Sequence, residues 1–378
     1  MAKTVARRVE RTLDEALTRK MERRDNVQYT PLDLPTVCER LEKFLSGEID
    51  GAFAVRDLAR LSGGASMEMY TFTLARGDNP AERMVLRMSP PCPVIQAHRE
   101  REFQILRAVE GTLPVPRAHF VVQDLEPFGE PVLITSFNPG VAAPSTGGGK
   151  ASGLSTAYGP LRKALAPQFV RHLAALHTLD WRQKGLSALD HPAEGTTDSA
   201  GWRVALWDRV WAEDTFEAHP TVALTSEWLW DRLPVTDKVS VVHGDYRNGN
   251  FLFDEDAAEI TVILDWELGH LGDRHHDLAY AMLPGYGHFD DSGTYLCAGL
   301  IDGPGFIADY ERLSGLSVDP ARLRYYSVLN MYFAVVACYA TASRVAAQKE
   351  THLDVMMNFV TGLAAFFVAE LNKILRED

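Results

Sequence analysis

Hydrophobic positions change their period along the chain, and the changes divide it into three parts. Val5, Val9, Leu13, Leu17 and Met21 recur every four residues among charges, the pattern of an amphipathic helix. Asp33 can cap a second helix that enters through Pro35, carries Val37, Leu41, Phe44 and Leu45 on one side, and is broken off by Gly47 and Gly51. From Phe53 the pattern shortens to strands at Val55 to Leu61, Met67 to Leu74 and Arg83 to Met88. A small-residue loop joins the first two, and a Gly77-Asp78-Asn79-Pro80 turn joins the next pair. A helix over 97–109 and strands over 118–123 and 132–137 follow, with an exit at Asn138-Pro139-Gly140. After a Gly-, Ser- and Pro-rich stretch at 141–159 the helical period dominates, over 161–179, 202–216, 224–233, 277–282, 301–313, 322–345 and 354–375. The pattern predicts an N-terminal helical extension at 1–50, an α+β lobe at 51–138 and a mainly helical lobe at 139–378.

Composition narrows the class without changing this division. A length of 378 residues suits two lobes, and 46% hydrophobic with 24% charged residues is ordinary for a soluble globular chain. The formal charge of -13 argues against a general nucleic-acid binder, which needs a basic face to displace counterions. Cys38, Cys92, Cys297 and Cys338 form no metal-binding pair, so a reduced, cytoplasmic protein is expected. The charged N-terminus lacks a secretory apolar core, and the longest apolar run, Met331 to Ala340, is too short for a membrane span. No membrane or nucleic-acid partner is expected. The first helix reads as a packing arm, with a homodimer through its apolar face as the alternative.

One polar loop interrupts the helical lobe. His243-Gly244-Asp245-Tyr246-Arg247-Asn248-Gly249-Asn250 lies between two segments of strand character, and Val262-Ile263-Leu264 then delivers Asp265. Asp245, Asn250 and Asp265 can therefore converge. An amide and a carboxylate are hard oxygen ligands that suit magnesium, which also takes phosphate oxygens. Asn250 and Asp265 fit that role, leaving Asp245 to orient an acceptor hydroxyl and take its proton during attack on a γ-phosphate. Each residue alone reads as turn chemistry; the three together carry the reading. Gly149-Lys150 invites a different phosphate-loop reading, which fails because Pro144 and Ala151 stand where a glycine and a Ser or Thr are required.

These motifs resemble the aminoglycoside phosphotransferase and choline kinase superfamily, and in particular a bacterial branch related to kinase-like domains fused to acyl-CoA dehydrogenases. The resemblance is carried by Leu61-Ser62-Gly63-Gly64-Ala65-Ser66, by His243 to Arg247 and by Leu264-Asp265-Trp266-Glu267, and runs from about Phe53 to the C-terminal helices. It implies the bilobal fold of protein kinases, with Asp245 as catalytic base and Asn250 and Asp265 as ligands of Mg2+. It also implies that Ser62, Gly63, Gly64, Ala65 and Ser66 cover the phosphates of ATP. Arg87 stands where many kinases carry a phosphate-binding lysine, with Glu102 or Glu100 as its partner. Leu133 to Phe137, including Thr135 and Ser136, is the hinge expected to meet adenine.

Other positions stay open at this level. Arg247 can offset charge on the transferred phosphoryl group or pair with a neighbouring carboxylate. His243 is expected to hold the loop, and Asp277 to brace it, in a segment where Arg274 replaces a common proline. His275 and His276 imitate a metal pair, but adjacent residues on a helix face different directions. Trp202, Trp207, Trp211, Trp228 and Trp230 have the spacing of core residues, with a cation-binding aromatic box as the sharper alternative. The implied activity is ATP- and Mg2+-dependent phosphorylation of a small-molecule hydroxyl, with aminoglycosides, choline-like amines and hydroxyacyl compounds as candidate acceptors. The alternative is a nucleotide-binding regulatory, pseudokinase-like module without turnover. A protein kinase is disfavoured because Asp277 follows Asp265 too closely for a long activation segment.

Overall fold

The short-period segment of the sequence builds a five-stranded antiparallel sheet. A computed structural model describes residues 7–24, 32–61, 67–90, 93, 95–145, 156–348 and 354–376. The sheet comprises β1 (Phe53–Arg60), β2 (Glu68–Arg76), β3 (Glu82–Met88), β4 (Ala118–Val122) and β5 (Val132–Ser136), in the order β1-β2-β3-β5-β4. Tyr70 opposes Leu86 and Phe72 opposes Met84 on one face, which packs against Val37, Leu41 and Leu45. Those three side chains belong to α2 (Leu34–Glu48), whose N-terminus is capped by Asp33 accepting the Thr36 N–H at 2.8 Å. Strand alternation sends the intervening residues, Arg87 among them, to the other face. There α3 (Arg99–Val109) covers the sheet through Ile105 and Leu106, which share a core with Leu133.

The first helix of the chain, α1 (Arg11–Arg23), lies on the larger lobe. Leu13 and Leu17 enter a core with Val204, Trp207 and Val210 of α5 (Asp198–Asp214). Lys20 is buried with them, its Nζ 2.9 Å from carboxylate oxygens of both Glu213 and Asp214. Most of the apolar face is therefore covered within the chain, as a packing arm requires, although Met21 stays 39% exposed.

Helices dominate the remainder: α4 (Arg162–Thr178), α5, α6 (Pro220–Asp231), α7 (His275–Ala281), α8 (Gly303–Ser314), α9 (Pro320–Val335), α10 (Ala342–Gln348), α11 (Asp354–Gly362) and α12 (Ala364–Arg376). A π turn over Val336–Thr341 joins α9 to α10, where sequence predicts one uninterrupted helix. Between these helices run two antiparallel pairs, β6 (Val239–Val242) with β9 (His270–Asp273), and β7 (Phe251–Asp254) with β8 (Glu259–Ile263). A further three-stranded sheet, β10 (His288–Phe289), β11 (Tyr295–Cys297) and β12 (Ile301–Asp302), has strands too short to leave a period in the sequence.

Two helical stretches, Pro320–Ala347 and Met357–Arg376, are long and apolar enough to cross a membrane by length and composition. The first is mostly buried in the body, whereas the second leaves Phe359 and Phe366 exposed. Tryptophans follow the packing reading: Trp202 and Trp207 are buried, Trp207 lies 4.4 Å from Phe333, and Trp228 stacks on Tyr325 at 6.1 Å. Past the sheet, Val141 exchanges two 3.0 Å backbone hydrogen bonds with Phe253, fastening the connecting chain to the helical lobe.

Candidate active site

The polar loop leaves β6 at His243 and is held by one buried carboxylate. Asp277, on α7, accepts the backbone N–H groups of His243 and Gly244 at 2.7 and 2.8 Å and the Nε2–H of His177 at 3.1 Å. His177, on α4, accepts in turn the Tyr310 hydroxyl of α8 at 2.9 Å through Nδ1. Burial alone, the largest single influence, would raise the Asp277 carboxyl, but the bond from His177 and the surrounding imidazoles of His177, His243 and His276 together outweigh it and hold the group below the usual carboxylate range. Burial pushes His177 down, which keeps its imidazole neutral and able to accept from Tyr310. Gly244 has φ of +84°, and a Cβ there would lie 2.7 Å from the Leu268 carbonyl oxygen, so only glycine fits the turn.

Within the loop, His243 acts as a brace. Its Nδ1 accepts the Asp245 N–H at 3.2 Å and its Nε2–H donates to the Leu264 carbonyl at 2.9 Å. Both oxygens of Asp245 are engaged: Arg247 Nε donates to Oδ1 at 2.8 Å and Asn250 Nδ2 donates to Oδ2 at 2.6 Å. Arg247 thus takes the pairing role, with its guanidinium 4.7 Å from the Tyr286 ring centroid and 2.9 Å from the Asn248 carbonyl. The Leu264 N–H donates to the Asn250 carbonyl at 2.7 Å, tying this loop to the segment that carries Asp265. Asp265 itself occupies the left-handed region, φ 67° and ψ 53°, at the start of a short 3-10 turn, Trp266–Leu268. An aspartate held in that region is a strained exception typical of functional sites.

Arg87 reaches this segment from the other lobe. Its guanidinium pairs with Glu102 of α3 and lies 3.3 Å from Asp265 Oδ1. Glu100 accepts from Gln104 at 3.0 Å instead, so the competing partner is not used. Glu102 is also paired with Arg99, and the partly buried Glu267 lies beside them, 3.9 Å from Arg99, its carboxyl pushed up to about 8 chiefly by burial.

The sequence profile of the phosphotransferase enzyme family (APH) matches residues 57–326, which include every part of this cleft. The chain belongs to that family. Its curated relatives include mouse acyl-CoA dehydrogenase family member 10, 28% identical over 254 residues, covering 66% of this chain and 22% of the relative. Human acyl-CoA dehydrogenase family member 11 is 29% identical over 254 residues, covering 64% of this chain and 30% of the relative. This phosphotransferase-family chain therefore spans a third or less of the length of those two relatives. Among solved structures, a Ralstonia eutropha protein classed provisionally as an aminoglycoside phosphotransferase superposes with a TM-score of 0.65 at 21% identity, covering 90% of this chain and 98% of the other. A thermostable mutant of aminoglycoside phosphotransferase APH(4)-Ia, in ternary complex with ADP and hygromycin B, gives 0.54 at 18%, covering 89% and 98%. These likenesses establish the bilobal α+β kinase-like fold.

Not every residue singled out from the sequence of this phosphotransferase-family member falls in the cleft in the manner expected. The loop Ser62, Gly63, Gly64, Ala65 and Ser66 lies outside the described residues, as does Gly149-Lys150. At the hinge, the Ser136 and Phe137 N–H groups donate to the carbonyls of Arg117 and Arg83, both at 2.9 Å, and Thr135 is buried in the sheet between β3 and β4. The hinge N–H groups of Ser136 and Phe137 are therefore closed to a ligand; only carbonyl acceptors there, or the Asn138 N–H beyond them, can meet one. His275 bonds Asp273 at 2.7 Å while His276 faces His270 at 3.2 Å, so the pair diverges. Among the described residues no cluster of three His, Cys, Asp or Glu side chains could hold a metal. Arg274, in place of proline, forms a two-pronged pair with Asp237 at 2.7 and 3.0 Å. Sequence reasoning missed His177 and Tyr310, which lie far from the motifs and carry no local signal, and also Arg99, which stands one helical turn before Glu102.

Proposed function

We propose that this chain is an ATP- and Mg2+-dependent small-molecule kinase that moves the γ-phosphate to a substrate hydroxyl. What supports it most is the meeting of the two lobes: Arg87 of the sheet lobe faces Asp265, and backbone bonding joins Asp265's segment to the loop that holds Asp245. Asn250 directs Nδ2 at Asp245 and keeps Oδ1 unengaged among the described residues, while Asp265 likewise keeps Oδ2. An amide oxygen and a carboxylate oxygen left open beside a phosphate-facing arginine fit a hard divalent cation. Such an ion, when bound, offsets charge on the nucleotide phosphates.

The chain's own residues then divide the work. Asp245, fixed from both sides by Arg247 and Asn250, retains lone pairs with which to accept the proton of an acceptor hydroxyl. The new bond joins that oxygen to the γ-phosphorus, the β–γ bridging bond breaks, and the proton passes to Asp245. Arg87 remains cationic because Glu102 and Asp265 outweigh its burial, and it meets phosphate as a planar fork. The Ser136 carbonyl and the Asn138 N–H are the hinge groups left to meet adenine.

Hygromycin B in the complex of one structural neighbour makes aminoglycosides one acceptor class to test, and the relatives' acyl-CoA dehydrogenase names make hydroxyacyl-CoA compounds another. Incubation with Mg-ATP or Mg-GTP and a panel of aminoglycosides, amino alcohols, sugars and hydroxyacyl-CoA compounds is expected to give phosphate transfer to one class. Tight nucleotide binding with no transfer to any of them would favour the regulatory module. Asp265→Ala is expected to weaken Mg-nucleotide affinity roughly tenfold and to flatten its dependence on magnesium. An unchanged magnesium dependence in titration calorimetry would remove Asp265 from the ligand set.

A further inference from the structure

The N-terminal helix α1 lies on the helical lobe and is tied to the sheet lobe at both ends by charged side chains. Glu10, at the N-cap of α1, is 1% exposed and lies between two guanidinium groups. Its Oε1 is 2.9 Å from Arg101 of α3 in the sheet lobe, and its Oε2 contacts Arg203 of α5 in the helical lobe. Arg101 is itself a junction. It donates to Thr12 Oγ1 of α1 at 3.2 Å and to the carbonyl of Gly269 at 3.3 Å, just past the turn that begins at Asp265. The next residue of α3 is Glu102, the partner of Arg87. No slack separates these pieces, since a Cβ on Gly269 would come within 2.6 Å of Ile105 Cδ1 on the same helix. At its other end α1 is tied again: Arg23 makes a two-pronged pair with Glu130 of the sheet lobe, and Lys20 is buried against Asp214.

We infer that α1 is a strap that sets the position of α3, and that Glu10 and Arg101 are positioning residues for the Arg87–Glu102 pair. Two like-charged groups share one buried carboxylate, so neutralising Glu10 leaves Arg101 and Arg203 facing each other without their common counterion. Separation of α3 from α5 relieves that repulsion, and any movement of α3 carries Glu102 away from Arg87. The effect on nucleotide rests on the phosphotransfer reading; the effect on α3 does not.

Glu10→Gln tests both parts. Hydrogen–deuterium exchange is expected to speed up across 99–109 while 162–178 of α4 stays at its wild-type rate. Affinity for the non-hydrolysable Mg-AMP-PNP is expected to fall roughly tenfold, a typical coupling between sites. In a Glu102→Ala background, where Arg87 has already lost this partner, Glu10→Gln should weaken binding no further. Unchanged exchange in α3, or an equal loss of affinity in both backgrounds, would overturn the strap. If the wild-type chain binds no nucleotide, the phosphotransfer reading falls and exchange alone decides. Should Glu10→Gln not fold, Arg101→Lys keeps the charge but loses the fork to Thr12 and Gly269, and faster exchange confined to α3 is again expected; wild-type exchange would overturn the inference.

Discussion

Asp245→Asn is expected to lower turnover by roughly two to four orders of magnitude while Mg-nucleotide affinity stays within a few-fold of wild type. The substitution keeps the size of the side chain and removes both its charge and its capacity to take a proton. It also disturbs the surroundings in a definite way. Both oxygens of Asp245 accept from donors, Arg247 Nε and Asn250 Nδ2, so an amide must turn its NH2 toward one of them. If the amide faces Asn250, that side chain must rotate, and the nucleotide affinity then reports the disturbance. Single-turnover phosphate transfer measured beside calorimetric nucleotide binding separates the two effects. Comparable transfer by mutant and wild type on the true acceptor would remove Asp245 from the role of base. Loss of nucleotide binding with transfer unchanged per bound complex would instead make it an organiser of Asn250.

How much of this site was legible in the sequence depends on what each residue must do locally. Asp245, Asn250 and Asp265 lie within one loop-and-strand stretch, and their spacing fixes their neighbourhood; the positive φ that demands Gly244 emerges only in the folded loop. The pairing of Arg87 with Glu102 was likewise within reach, because β3 is followed by α3 and alternation sends Arg87 to the face that α3 covers. His177 and Tyr310 were not. They lie on helices whose pattern reports only which face is apolar, and a histidine on an apolar face has no signature distinguishing a brace from a filler. The extension at 1–50 shows the same limit. Its period predicted α1, but the choice between packing arm and partner surface turned on charges: Glu10, Lys20 and Arg23 each find a partner more than a hundred residues away or in a different lobe. Side chains of opposite charge distant in sequence are matched by tertiary structure, and no periodicity encodes the match.

The hinge illustrates a further gap. Thr135, Ser136 and Phe137 have strand character, which sequence reports correctly, yet the strand is central, with β3 and β4 on either side. A central strand uses its N–H groups in pairing, so a backbone donor for the proposed nucleotide would have to come from Asn138. Edge or centre is a property of topology, and it decided which backbone groups stay available.

Asp277→Asn should produce the largest combined loss of stability and activity among residues that touch no substrate. Asp277 is fully buried and accepts three N–H groups, from His243, Gly244 and His177, with its two oxygens. An asparagine keeps the volume, so no cavity forms, but its single carbonyl can serve only one side of that arrangement and its NH2 confronts donors on the other. The cost is about 3 kcal/mol, from a charge-assisted bond lost and a buried donor left unmatched. Turnover should fall about a hundredfold as well, because an ångström-scale shift of His243 and Gly244 carries Asp245 with it. A pH test isolates the charge. The folded carboxyl is held below the ~3.9 of an unfolded aspartate, so its contribution is fully present above about pH 4 and is lost as pH falls through the folded value. The wild type should therefore lose stability toward acid more steeply than Asp277→Asn, and the two urea midpoints should converge as pH drops. Equal midpoints at neutral pH, or a gap that widens in acid, would show that the three bonds to Asp277 do not hold the loop.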